Sequence, residues 1–158
     1  MSDVTTARVR ALLDSGKLRW MPRMHLLGAT VPETYPWSPR QPTVAVHPVT
    51  VTSVDREGRP WGQFSRVDGR GGGWGSFSDG WPDIDDPATL GCIEHVLLPE
   101  VWGPTAQIQT HWAGSSGSVY IHTTDDDGSV VERLAVENVP KAEALIAALE
   151  AAPERGES

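Results

Sequence analysis

Between residues 86 and 152 the apolar positions pass from a helical period to alternation and back again. That pattern predicts a helix, three strands and a helix. Asp86 is placed to cap the first helix, Pro87 suits its first position, and Leu90, Ile93, Val96 and Leu97 fall on one face. Pro99 ends or kinks that helix, and Gly103-Pro104 lies beyond it. Alternation then predicts strands over 107–112, 118–123 and 130–136. The gaps Gly114–Gly117 and Asp125–Gly128 supply glycine for hairpin connections, so the strands are expected to be sequential and antiparallel. Ala142, Leu145, Ile146 and Leu149 mark the last helix, from about Pro140 to Pro153, and 154–158 reads as a frayed tail.

The first half is less regular. Val4, Ala7, Val9, Leu12 and Leu13 predict a helix over 4–15, with Ser2 or Asp3 as cap and Gly16 as stop. Residues 18–27 read as extended, with Pro22 arguing for an edge. Residues 30–42 hold Pro32, Pro36, Pro39 and Pro42 and are expected to run extended over the surface. The Thr/Val-rich stretch 43–54 predicts a strand, 55–60 a turn and 61–67 the return strand of a hairpin. The glycine-rich stretch 68–82 reads as a long loop. The predicted fold class is α+β: a helix and β-hairpin region over 1–85, then an α-β-β-β-α unit over 86–153 with a three-stranded meander, or one continuous domain.

Composition supports a folded chain with long turns. The 158 residues are 39% apolar and include 16 Gly and 13 Pro. A single thiol, Cys92, excludes an internal disulfide, and no secretory leader or run of membrane-spanning length is visible. The expectation is a soluble protein of a reducing compartment with no membrane association. The net charge of −8 is unevenly spread. Residues 1–80 carry ten Lys/Arg and seven Asp/Glu, a balance of +3; residues 81–158 carry three and fourteen, a balance of −11.

The element order of 86–153 resembles that of double-stranded-RNA-binding domains, in topology alone. That family holds phosphates with lysines at the start of its last helix, where this chain reads Pro140-Lys141-Ala142-Glu143. Phosphate contacts need cations, so direct nucleic-acid binding through this half is not expected.

A second resemblance rests on Asp86-Pro87-Ala88-Thr89-Leu90-Gly91-Cys92, on Trp102-Gly103 and on the stretch from Glu143 to Pro153, with a looser match from Val9 to Pro22. These segments resemble small uncharacterised proteins of tailed phages and prophages from high-GC bacteria. The resemblance implies a phage accessory gene expressed in the bacterial cytoplasm and brings no activity and no functional residues with it. The proline segment 30–42 and the glycine loop 68–82 depart from that pattern.

Candidate chemistry is sparse. Of seven tryptophans, Trp102 and Trp112 are expected in the C-terminal core and Trp61 under the hairpin, whereas Trp37, Trp74 and Trp81 sit among Pro, Gly and Ser. Exposed Trp beside Arg is the composition of contact hot spots. The candidate binding patch is therefore Trp37, Arg40, Arg70, Trp74, Phe77 and Trp81, with Arg66 nearby; the alternative is that these rings staple loops to the body. An acidic docking face is expected from Asp125, Asp126, Asp127, Glu132 and Glu137.

No metal, cofactor or catalytic set stands out. The carboxylates Asp79, Asp83, Asp85 and Asp86 lack a calcium-loop pattern. His25, His47, His95, His111 and His122 lack a close-spaced ligand pair, although His111 and His122, on adjacent strands, are expected to be able to face each other near Glu94 or His95. Cys92 reads as a core thiol, and the glycine loop lacks phosphate-loop spacing. These readings favour a non-enzymatic protein that binds a host macromolecule, such as a defence or nucleic-acid-binding protein. A small-ligand (nucleotide) binder and a structural or virion-associated component, forming homo-oligomers, are the alternatives.

Overall fold

The computed structural model describes residues 3–33 and 42–153. In chain order the elements are α1 (Asp3–Ser15), β1 (His25–Leu27), β2 (Thr30–Pro32), β3 (Thr43–Ala45), β4 (Val49–Thr50), β5 (Ser53–Val54), β6 (Pro60–Ser65), β7 (Gly72–Ser76) and β8 (Trp81–Pro82). There follow α2 (Pro87–Cys92), a π-helical turn (Ile93–Leu97), α3 (Leu98–Trp102), β9 (Gln107–Ala113), β10 (Ser116–Thr124), β11 (Val130–Pro140) and α4 (Lys141–Ala151). The class is α+β, with an N-terminal helix, several antiparallel sheets and a C-terminal meander followed by a helix. Among the described residues no helix is long and apolar enough to cross a membrane.

The chain divides into two compact units, one of Met1–Leu18 with Leu90–Ser158, the other of Arg19–Thr89. Helix α1 thus goes with the meander. By sequence the first unit carries six Lys/Arg and thirteen Asp/Glu, a charge of −7, and the second seven and eight, a charge of −1. The contrast is milder than the halves imply: residues 1–18 bring a net +1 to the acidic unit, and Asp83, Asp85 and Asp86 belong to the other.

In the first unit the sheet order is β11-β10-β9. Val119 and Ile121 of the central strand are fully buried, as are Leu145, Ile146 and Leu149 of α4. Each such side chain contributes about 1.5–3 kcal/mol. The β9–β10 hairpin turns on Gly114, with φ 67°, a conformation that favours glycine. The third strand runs four residues past its predicted end, to Pro140, with irregular register at two places. Asp86 does cap α2: its Oδ2 accepts the Thr89 N–H at 2.9 Å.

The helix after that cap departs from the expected face. Pro99 does not end it. A π-helical turn in which Leu98 N–H donates to Ile93 O precedes it, Pro99 takes the first turn of α3, and Gly103, with φ 90°, closes the helix. The wider turn shifts the buried face to Ile93, Leu97 and Leu98 and leaves Val96 39% exposed. Trp102 and Trp112 are half-buried at the margin of the core. Each indole N–H is satisfied, Trp102 by Ala148 O at 2.9 Å and Trp112 by Glu94 Oε1 at 3.0 Å.

The second unit is built of short strands. β1 lies between β4 and β8, β2 pairs with β3, and β6 lies between β5 and β7. A bridge between Val46 and Arg66, flanked by His47 N–H to Ser65 O and Val67 N–H to Ala45 O, ties the end of β3 to the end of β6. The single strand expected over 43–54 is three short ones, since Pro48 supplies no ladder donor. Only 25–27 of the stretch 18–27 is strand, because Arg23, with φ 82°, turns the chain before it. The stretch 68–82 is not a long loop. It carries β7 and β8, and two of its glycines allow close approach: a Cβ on Gly72 would stand 2.3 Å from Phe64 O and one on Gly80 2.6 Å from Leu27 O.

Candidate binding site

The β6–β7 hairpin is fixed by local hydrogen bonds. Arg66 N–H donates to Gly71 O at 2.8 Å and Gly69 N–H to Arg66 O at 3.1 Å, with Gly69 and Gly71 at positive φ. The Asp68 carboxylate accepts from Arg66 Nε at 3.1 Å, from Arg66 Nη2 at 2.6 Å and from Arg70 N–H at 2.9 Å. These bonds, the Arg66 side chain first, hold Asp68 below the usual carboxylate range. Arg66 Nη1 donates to Glu33 O at 2.8 Å, so its guanidinium is spent on the fold. Arg70 makes no ion pair with another described residue.

A concavity of about 430 Å³ opens over this hairpin. It is lined by Val31, Pro32 and Glu33, by Phe64 of β6, and by the hairpin and β7 stretch that includes Arg70, Trp74 and Phe77. Phe64 meets Phe77 edge to face, centroids 5.8 Å apart. Trp74, 55% exposed, stacks on Trp61 at 4.9 Å. The lining is aromatic with a few charged groups, the make-up of a recognition pocket, and its size is in the range of small-molecule sites.

The structure brings together Arg70, Trp74 and Phe77 of the expected patch. Phe77 is 4% exposed and contributes a buried ring. Trp81 does not line this concavity: it pairs with Leu27 on β8, and its ring packs so closely on Gly28 that a Cβ there would stand 2.3 Å from it. Trp37 and Arg40 lie outside the described residues. The sequence reading missed Val31, Glu33 and Phe64. The first two fell at a proline-rich stretch with no visible pairing signal. Phe64 lay in a predicted strand whose inner face the local pattern does not specify.

In the meander unit, Asp125, Asp126, Asp127, Glu132 and Glu137 are all exposed. Several are locally engaged. Asp125 closes on Arg133 Nη2 at 2.8 Å, Asp127 Oδ1 accepts the Ser129 N–H at 2.9 Å and Glu137 accepts the Tyr120 hydroxyl at 2.8 Å. The Ser129 bond is the main reason the Asp127 carboxyl lies below its ordinary range. His111 and His122 do not face each other. His111 pairs with Ser118 and His122 with Gln107, and Tyr120 stands between them, 6.0 Å from the His111 ring.

Glu94 is the most enclosed carboxylate of that unit, its side chain 11% exposed. It accepts from Thr110 Oγ1 at 3.2 Å and from Trp112 Nε1 at 3.0 Å, and Lys141 Nζ lies 3.4 Å away. Of the other carboxylates, Asp79 accepts both the N–H and the hydroxyl of Thr30, and Asp83 accepts the Asp85 N–H at 3.0 Å. Among the described residues no three His, Cys, Asp or Glu side chains converge to hold a metal ion. Cys92, the single cysteine, is in no internal disulfide and is half-buried. No known protein family, no curated protein and no solved structure matches this chain.

Proposed function

We propose that this protein acts by binding, without chemistry of its own, and that the concavity beside β7 is its binding site. The observation that carries this reading is a concavity at the edge of β7 that meets Phe64 and Phe77 on one face of the hairpin, with the exposed Trp74, braced on Trp61 on the other face, and Arg70 at its border. A braced, solvent-facing indole next to a cation is the composition of an interaction hot spot. In the setting implied by the sequence resemblance, a phage or prophage accessory protein in the bacterial cytoplasm, the bound partner is a host macromolecule, and a defence protein is one such target. The test is capture from host lysate on immobilised protein, with a Trp74→Ala, Arg70→Ala double variant alongside. A partner retained by the native protein and lost by the variant supports the reading. A partner retained equally by both overturns the site.

A second reading follows from the size of the concavity, about 430 Å³. A planar anion such as a nucleotide would stack on Trp74 and pair with Arg70. A thermal-shift screen of nucleotides checks it: ligand at 100 times its dissociation constant adds about 2.7 kcal/mol of stability.

A further inference from the structure

We infer that the partner enters as an extended polypeptide strand added to the outer edge of β7, which no described strand covers, with an apolar side chain in the concavity and a carboxylate against Arg70. The inference rests on the reading of the concavity as the binding site and names the chemistry of what it takes.

The ladder parity of β7 sets which backbone groups are free. Arg66 N–H donates to Gly71 O and Phe77 N–H to Pro60 O, at the two ends of an unbroken register with β6. In an antiparallel ladder the hydrogen-bonded pairs alternate, so residues 71, 73, 75 and 77 turn their backbone groups towards β6. Gly72, Trp74 and Ser76 therefore point theirs away from it, and no described strand pairs with that side.

Edges of this kind are usually blunted by proline, charge or a bulge. The outer edge of β2 is treated that way: Thr30 N–H is taken by Asp79 at 3.2 Å, and Pro32 has no N–H. Strand β7 reads Gly72-Gly73-Trp74-Gly75-Ser76 and carries no such device. Gly75 adds a separate argument. It lacks a positive φ, and a Cβ there would meet nothing within 4 Å. The fold itself does not demand glycine at that position, and a bare strand position lining a cavity leaves room for an incoming side chain or backbone.

Charge selects the strand. Arg66 is already held by Asp68 and Glu33 O, whereas Arg70 is available for a carboxylate. Glu33, which also lines the concavity, disfavours a second one. Side chains two apart on a strand share a face. The fitting segment therefore pairs one large apolar residue with one Asp or Glu two positions away. Main-chain bonds to the edge supply affinity and the pocket supplies selection.

The test uses the full chain and a pool of eight-residue synthetic peptides. Each has Leu, Ile or Phe at one position and Asp or Glu two residues on, in a Thr/Val background, and binding is read by tryptophan fluorescence and calorimetry. Expected is binding at or below about 100 μM, weakened more than about tenfold by N-methylation of one alternate set of peptide amides and unaffected by methylation of the other. Ser76→Pro removes one outward donor, together with the Ser76 hydroxyl's bond to Asp55, and should weaken binding to a similar degree. The N-methyl series reads the same contact from the ligand side should that variant misfold. Peptides that bind with both methylated sets tolerated overturn strand addition. So does the absence of peptide binding up to about 1 mM, and if adenosine or guanosine nucleotides then bind and protect Trp74, the site stands with another ligand. Absence of both peptide and nucleotide binding removes the site as well.

Discussion

Arg8 of α1 and Glu143 of α4 meet at 2.8 Å, although 135 residues separate them in the chain. The same guanidinium reaches Glu150, about two helical turns further on, at 2.6 Å. These hydrogen bonds, to Glu150 first and Glu143 second, push the Arg8 pKa above its already high ordinary value. One planar fork serving two carboxylates spends a single side chain's entropy on two pairs. The glutamates are about two-fifths exposed, so solvent screening keeps each pair small. Arg8→Ala is expected to cost about 1 kcal/mol, with the loss shrinking in high salt. Thermal melts at low and high ionic strength check this, and Arg8→Lys should recover only part of the loss.

Trp74 and Trp81 are expected to part company under mutation. Trp74 has an exposed ring braced on Trp61, so Trp74→Ala should change stability by less than about 1 kcal/mol. Trp81 packs against Gly28, and Trp81→Ala should cost about 3 kcal/mol. Gly28→Ala strikes the same contact from the other side: φ is 73° and the added carbon overlaps the ring. Gly58→Ala, with φ 82° and no neighbour within 4 Å, isolates the backbone strain and should cost less. Denaturant midpoints for the four variants decide. Equal losses at Trp74 and Trp81 would show that Trp74 is structural.

Glu94 anchors one side of the meander through a shared acceptor role. Glu94→Ala leaves the Trp112 N–H without its acceptor and removes the counter-charge of Lys141, whose Nζ also sits 5.0 Å from the Trp112 ring centre. The expected cost is about 2–3 kcal/mol. Glu94→Gln keeps one acceptor oxygen and should lose about 1 kcal/mol. Near-ultraviolet circular dichroism should lose the Trp112 contribution in the alanine variant before the far-ultraviolet signal falls.

What the sequence discloses and what it hides divide along a physical line. The meander and its helices are legible because caps, alternation and hairpin glycines are local signals, as at Asp86, Val119, Ile121 and Gly114. The π-helical turn is not, since 3.6-residue periodicity places Val96 beside Ile93 and only the packed structure turns it outward. In the second unit the strands are two to six residues long, too short for periodicity to speak. Strand β7 was hidden further because glycine disfavours strands by propensity. Gly72 serves close backbone approach to Phe64, which is a tertiary fact. The candidate site was half legible for the same reason. Arg70, Trp74 and Phe77 share one stretch of chain, whereas Val31 and Glu33 reach the concavity through the pairing of β2 with β3, which no local pattern announces.

The Tyr120 phenol provides a pH readout of the open sheet face. Its hydroxyl donates to Glu137 Oε1 at 2.8 Å, and this bond is the main reason its pKa lies above the ordinary value of about 10. A pKa raised by folding means that the folded state holds the proton more tightly. The associated stability is therefore fully present below the unfolded pKa and is lost as pH rises through the folded one. The chain has two tyrosines, so a Tyr35→Phe background leaves one phenol to follow. Absorbance titration in that background should give a midpoint above that of free tyrosine. Glu137→Ala should bring it down towards the free value and remove the alkaline loss of stability attached to it. An unchanged midpoint in the alanine variant would show that Glu137 does not hold the proton.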